Sequence, residues 1–184
     1  LLMALLYETF VIGKPYPTNN EAVLRFFEPN LTLFLILISF VFSMLGVVFV
    51  VRYLHHQTML SITTSRDKVD WGRIRFSFSI WALFTIVSTL SFYHYNPNDF
   101  EINFKPVPFA ILAVIGLLLI PIQTSSEEYI FRGYLMQGFG NLAKNKWFPL
   151  LMTSLIFGAM HISNPEVSKL GNIIMVYYIG TGLF

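Results

Sequence analysis

Two carboxylates and a guanidinium lie close together in an otherwise apolar part of the chain. The segment reads Ile-Pro-Ile-Gln-Thr-Ser-Ser-Glu-Glu-Tyr-Ile-Phe-Arg over residues 120–132 and contains Glu127, Glu128 and Arg132. A charged side chain at the centre of a bilayer costs about 2.5 to 3.5 kcal/mol on insertion scales, so such groups face a protein interior or a wet cavity and mark functional sites. These three residues are therefore the first candidates for chemistry.

Helical spacing separates the two glutamates. Glu128 and Arg132 are four residues apart with the acid on the N-terminal side, which is the favourable order, so we expect an internal ion pair. Glu127 is rotated by about 100° from Glu128 and is poorly placed for the same pair. A carboxylate without a firm partner in a water-poor site is suited to general-base catalysis. The alternative is one ion cluster of all three residues that only locks helices together.

A single imidazole, His161, lies deep in a later apolar segment. If the two helices reach the cytoplasmic face near Gly138 and Phe148, Glu127 lies about 16 Å inside and His161 about 20 Å inside. We therefore predict that the two side chains face each other at similar depth, and Gly158 would permit close helix approach. The alternative is a hydrogen-bonded structural histidine.

The elements that hold these residues are predicted to be transmembrane helices. The chain has 184 residues, of which 55% are hydrophobic and 12% charged, against about 25% charged in soluble domains. Its mean hydropathy is +0.62. Apolar runs of spanning character lie at residues 31–54, 76–93, from 107 through 121, 148–161 and from 170 onward. We predict an all-α, polytopic transmembrane helical bundle that forms one membrane domain over residues 1–184, and we expect the chain to be a fragment of a longer protein.

Basic residues predict the orientation of the spans. Two loops carry most of the Lys and Arg residues and should be cytoplasmic by the positive-inside rule; these are Arg52, Arg66, Lys68, Arg73, Arg75, Lys144 and Lys146. The N-terminal segment and the 96–106 loop are then outside. A net charge of +2 gives little field for attracting phosphate backbones, which excludes a nucleic-acid binder. The absence of cysteine excludes a thiolate nucleophile.

Two motifs carry a resemblance to a known family. The sequence Glu-Glu-Tyr-Ile-Phe-Arg-Gly-Tyr-Leu at 127–135 resembles the Glu-Glu-x-x-x-Arg motif of the CPBP family, which comprises the CAAX proteases and bacteriocin-processing enzymes and is also called the Abi family. The sequence Phe-Gly-Ala-Met-His at 157–161 resembles its second motif, Phe-x-x-x-His. The resemblance covers residues 108–184, the catalytic motif region, and implies a multi-span α-helical intramembrane endopeptidase.

The resemblance also implies residue roles. Glu127 matches the catalytic base and His161 its partner at the attacking water, whereas Glu128 and Arg132 match the supporting pair. The family's later His-x-x-x-Asn-type motif, which is associated with oxyanion stabilisation, has no counterpart after His161. Two interpretations stay open: the motif lies beyond Phe184, or the chain is inactive.

The predicted function is hydrolysis of peptide bonds in or near the membrane by a water that Glu127 and His161 activate. We expect no cofactor; zinc is the alternative, although catalytic zinc normally has three protein ligands. The expected partners are a peptide or protein substrate and the lipid bilayer, and the expected location is a bacterial cell membrane, which the protein crosses several times. CAAX proteins, peptide pheromones and bacteriocins are the substrate classes that the resemblance implies. The rival functions are a non-catalytic membrane-binding or bacteriocin-immunity protein and a proton-coupled transporter.

Overall fold

The computed structural model describes residues 1–143, 145–171 and 173–183, and within these ranges the chain is helical and has no β-strand. The predicted all-α fold is therefore confirmed. In chain order the α-helices are α1 (Leu2–Phe10), α2 (Asn20–Leu24), α3 (Pro29–Phe49), α4 (Met59–Thr63), α5 (Trp71–Tyr95), α6 (Pro106–Glu128), α7 (Met136–Ala143), α8 (Trp147–Met160), α9 (Pro165–Leu170) and α10 (Ile173–Leu183). Two π-helical segments, Val50–Leu54 and Tyr129–Leu135, continue α3 and α6.

Three helical stretches in the described part of the chain are long and apolar enough to cross a membrane. They are Pro29–Leu54, Trp71–Tyr95 and Pro106–Ala143, which include the first three predicted spans. This is the composition of a membrane protein, because about 20 apolar residues in a helix cover the hydrocarbon core. No residue of α5 is buried by the rest of the chain, so its apolar surface is free to contact lipid.

The fourth predicted segment forms a helix over nearly its predicted range, whereas the fifth begins later than predicted. Helix α8 has 14 residues and α10 has 11, or about 21 Å and 17 Å of helix. Helix α8 ends at Met160. Four residues later Asn164 has an extended backbone, which is the conformation that a following proline favours. Gly171 has a φ of 71° and separates α9 from α10, so the helix predicted from residue 170 begins at Ile173 instead.

Helices α3 and α6 run parallel and are joined at both ends. Near their beginnings, Asn30 Nδ2 donates to the Pro108 carbonyl at 3.0 Å. Beyond their ends, His55 Nε2 and Tyr134 Oη are 2.9 Å apart. The two stretches therefore cross the structure in the same direction and in register, as alternating spans require.

An ion pair joins the segments before α3 and after α8. Lys169 Nζ lies 2.9 Å from Glu21 Oε1. The hydrogen bond from Lys169, followed by its positive charge, lowers the pKa of the Glu21 carboxyl below its ordinary value. Both segments thus lie on one side of the molecule, in agreement with the predicted topology. The cytoplasmic assignment of the opposite side stays a prediction, and Lys144, one of the residues behind it, lies outside the described residues.

Helices α8 and α10 pack closely because glycine lies at both contacts. A Cβ atom on Gly158 would lie 2.5 Å from Ile179 Cγ1, and one on Gly182 would lie 2.9 Å from Ser154 Cα. The close approach predicted at Gly158 is present, but its partner is α10 and not the helix that carries Glu127. Ser154 is fully buried at this contact.

We expect Gly182→Ala to destabilise the protein. The added methyl group would meet the backbone of α8, which cannot move aside as a flexible side chain does, and overpacking of this kind costs about 1 to 3 kcal/mol. Gly180→Ala is the matched control, because a Cβ there has no described neighbour within 4 Å. Thermal unfolding in detergent measures both. Equal melting temperatures for the two variants would contradict the close contact.

Candidate active site

The two glutamates lie where the helix changes its geometry. Glu127 and Glu128 are the last residues of α6, and the π segment Tyr129–Leu135 follows directly. π-Helical turns are rare and occur frequently at functional sites. Phe131 and Gly133 are buried in this segment, so the local widening is held by packing.

Glu127 is held by a side chain one helical turn earlier. Gln123 Nε2 donates to Glu127 Oε1 at 2.8 Å. This bond engages one of the two carboxylate oxygens and fixes the direction of the carboxylate. Gln123 was not predicted as a site residue, although its i,i+4 spacing from Glu127 indicates this contact.

His161 has its orientation fixed by its own helix. It is the residue that caps the C-terminal end of α8, and its Nδ1 lies 2.8 Å from the Phe157 carbonyl oxygen. A carbonyl only accepts hydrogen bonds, so Nδ1 is the donor and carries the proton. In the neutral ring the lone pair is then on Nε2, which is the nitrogen left for a water, a substrate or a metal ion.

Two aromatic rings contact the imidazole of His161. The Phe157 ring centroid lies 4.6 Å from it, and the Tyr178 ring of α10 is stacked on it at 4.4 Å with an interplanar angle of 26°. Asn164 Nδ2 donates to Tyr178 Oη at 3.3 Å. Sequence reasoning missed Tyr178, because nothing in the spacing of the two segments indicates that they meet.

Glu127 and His161 line the same cavity, which has a volume of about 590 Å³. This volume is within the range of small-molecule and peptide side-chain sites. Helix α3 supplies one wall with residues at helical i, i+3, i+4 and i+7 spacing; they are Leu33, Ile36, Leu37 and Phe40. Both candidate residues therefore line one cavity. That they face each other at the same depth stays a prediction. Their catalytic roles stay a prediction.

The Glu128–Arg132 pair that the spacing predicts is present, with Nη1 and Oε2 2.5 Å apart. The side chain of Glu128 is 56% exposed and that of Arg132 is 36% exposed. The rest of the chain therefore does not bury the pair, contrary to the expectation of an internal pair. The reason is that it lies at the edge of the helical packing and not inside it. Arg132 Nη2 also donates to the Thr181 carbonyl at 2.8 Å, so the guanidinium joins the motif helix to α10.

Within residues 1–143, 145–171 and 173–183, no three His, Cys, Asp or Glu side chains are clustered closely enough to hold a metal ion. Glu127 and His161 would supply two ligands, whereas catalytic zinc normally has three from the protein. Metal dependence stays a prediction.

Comparisons with known proteins place these residues in a family context. Residues 106–184 match the family model described as Type II CAAX prenyl endopeptidase Rce1-like. The chain is also 34% identical over 169 residues to a Bacillus subtilis (strain 168) protein named Uncharacterized protein YyaK. That similarity covers 91% of this chain and 56% of the relative, so the chain spans about half of the relative's length. No solved structure matches the chain.

We expect Arg132→Ala to lower the melting temperature and the yield of folded protein. The change removes the bonds to Glu128 and to the Thr181 carbonyl together, and hydrogen bonds of charged groups are worth about 1.5 to 3 kcal/mol. Arg73→Ala is the control, because the Arg73 side chain is 73% exposed and its ion pair among the described residues is with Asp70, three residues earlier. Such surface pairs are worth about 0 to 1 kcal/mol. Wild-type melting behaviour in Arg132→Ala would contradict the linking role.

Proposed function

We propose that this membrane protein hydrolyses peptide bonds with a water activated by Glu127 and His161, on the premise that residues 106–184 match the Rce1-like family model of type II CAAX prenyl endopeptidases. The observation that supports the proposal best is that both side chains line one cavity. The cavity lies between helices that are apolar enough for a membrane, which fits an intramembrane endopeptidase.

In the proposed mechanism Glu127 accepts a proton from the water held between its carboxylate and Nε2 of His161. The water oxygen attacks the scissile carbonyl carbon, and the carbonyl oxygen becomes an oxyanion. The proton then passes to the leaving amine as the C–N bond breaks. Stabilisation of the oxyanion is usually the largest contribution to such a reaction, and in this family it is associated with the His-x-x-x-Asn-type motif that does not follow His161 here.

Two hydrogen bonds at the site support these roles for Glu127 and His161. Gln123 holds one carboxylate oxygen of Glu127, so the carboxylate is oriented before water arrives. The Phe157 carbonyl accepts a hydrogen bond from Nδ1 of His161, so Nε2 is the nitrogen left to bind the attacking water. Preorganisation of this kind lowers the barrier because the groups need not reorient in the transition state.

The proposed substrate is a peptide or protein at the membrane, and the proposed location is the bacterial cell membrane with the basic loops in the cytoplasm. The apolar α3 wall suits a hydrophobic side chain or lipid group beside the scissile bond. A prenylated CAAX sequence, a peptide pheromone and a bacteriocin-related peptide all have this character.

We expect Glu127→Gln to abolish cleavage in the full-length protein while leaving it folded. The amide oxygen still accepts the Gln123 hydrogen bond but cannot take a proton from water, and loss of general-base catalysis costs about 10² to 10⁴ in rate. His161→Ala should be similarly impaired, and the double variant little worse, because residues that act as one unit are not additive. The assay uses protein purified in detergent with a panel of farnesylated CAAX peptides and unmodified hydrophobic peptides, read by mass spectrometry.

Glu101→Gln provides the matched control, since Glu101 is exposed in the 96–106 loop and loses the same charge. Full turnover by Glu127→Gln would remove Glu127 from the mechanism. Failure of the wild-type protein to cut any peptide, together with an immunity phenotype that Glu127→Gln retains, would favour the non-catalytic binding function.

We expect chelators to leave cleavage by the wild-type protein unchanged. The site as described offers two ligands, and a tightly held catalytic zinc normally needs a third. The measurement is turnover before and after treatment with 1,10-phenanthroline, with a known zinc protease treated in parallel. Loss of activity that added zinc restores would recast Glu127 and His161 as metal ligands.

A further inference from the structure

We propose that Tyr178 is a positioning residue for His161, an inference that rests on the proposed function. Its ring is stacked on the imidazole at 4.4 Å and 26°, and it comes from α10, a helix that carries neither family motif. Tyr178 is not among the residues that line the cavity, whereas His161 is, so the proposed role of Tyr178 is exerted through His161.

The stack supplies a constraint that the hydrogen bond of His161 lacks. The ring turns about the Cα–Cβ and Cβ–Cγ bonds, and the bond from Nδ1 to the Phe157 carbonyl restrains these rotations at one edge of the ring only. A ring stacked on the imidazole opposes these rotations across its face, because offset-stacked aromatic rings attract each other beyond their area burial. Together the two contacts fix both the direction and the plane of the imidazole, and therefore the position of Nε2.

Tyr178 is itself held on two sides. Asn164 Nδ2 donates to its hydroxyl at 3.3 Å. The close packing of α10 against α8 at Gly158 and Gly182 fixes the backbone that carries it. The ring is thus presented to His161 by a rigid contact and not by a mobile loop.

The chain offers a matched pair of tyrosines for the test. Tyr177 precedes Tyr178 in the same helix and is 62% exposed. We expect Tyr178→Leu to lower kcat by about 10- to 100-fold, the range that a small misplacement of a catalytic group produces, with KM little changed. Tyr177→Leu should keep wild-type kcat. Tyr178→Phe keeps the ring but not the hydroxyl and should recover most of the loss.

The experiment uses the same purified full-length protein, peptide panel and detergent as the Glu127→Gln test, with a melting temperature for every variant. If Tyr178→Leu melts early, Tyr178→Met repeats the test, because an unbranched side chain fills irregular space more easily. Wild-type kcat in a folded Tyr178→Leu or Tyr178→Met protein would overturn the inference. So would a loss in Tyr178→Phe as large as in Tyr178→Leu, or an equal loss in Tyr177→Leu.

These outcomes are distinct from a failure of the proposed function. Activity in Glu127→Gln would refute the mechanism whatever the Tyr178 variants do. An inactive Glu127→Gln protein beside a fully active Tyr178→Leu protein would refute only the positioning role.

Discussion

The close contact between α8 and α10 is the constraint on which the candidate site depends. Gly158 and Gly182 allow the two helices to approach until backbone meets backbone. In this arrangement α10 makes two contacts with the site. The Tyr178 ring stacks on His161, and the Thr181 carbonyl accepts a hydrogen bond from Arg132. A side chain at either glycine would therefore disturb the imidazole and the ion pair together, although neither glycine does chemistry.

Spacing along one helix predicted the local features of the site. The four-residue separation of Glu128 and Arg132 predicted their pair, which is present, while Glu127 and His161, which were predicted to face each other, line one cavity. Helical periodicity carries this information because one turn fixes which residues are neighbours. The same rule would have found Gln123.

Contacts between segments that are distant in the sequence could not be predicted from spacing along one helix. The stack of Tyr178 on His161 and the α3 wall depend on how helices pack, which no spacing within one segment reports. The partial exposure of the Glu128–Arg132 pair was also missed, since a charge in an apolar sequence indicates a sheltered site but not which helices provide the shelter. The α3 wall lies outside residues 106–184, so a segment beyond the family match shapes the cavity.

The hydrogen bond from Asn30 to the Pro108 carbonyl has a consequence for biosynthesis. Donor and acceptor are 78 residues apart, so at 5 to 20 residues per second the ribosome adds the acceptor roughly 4 to 16 seconds after the donor. Throughout that interval the Asn30 amide has no Pro108 carbonyl to bond, and a bare amide is costly in hydrocarbon. We therefore expect the beginning of α3 to stay among water and headgroups until α6 arrives, so that the two helices settle to their final depth as a pair.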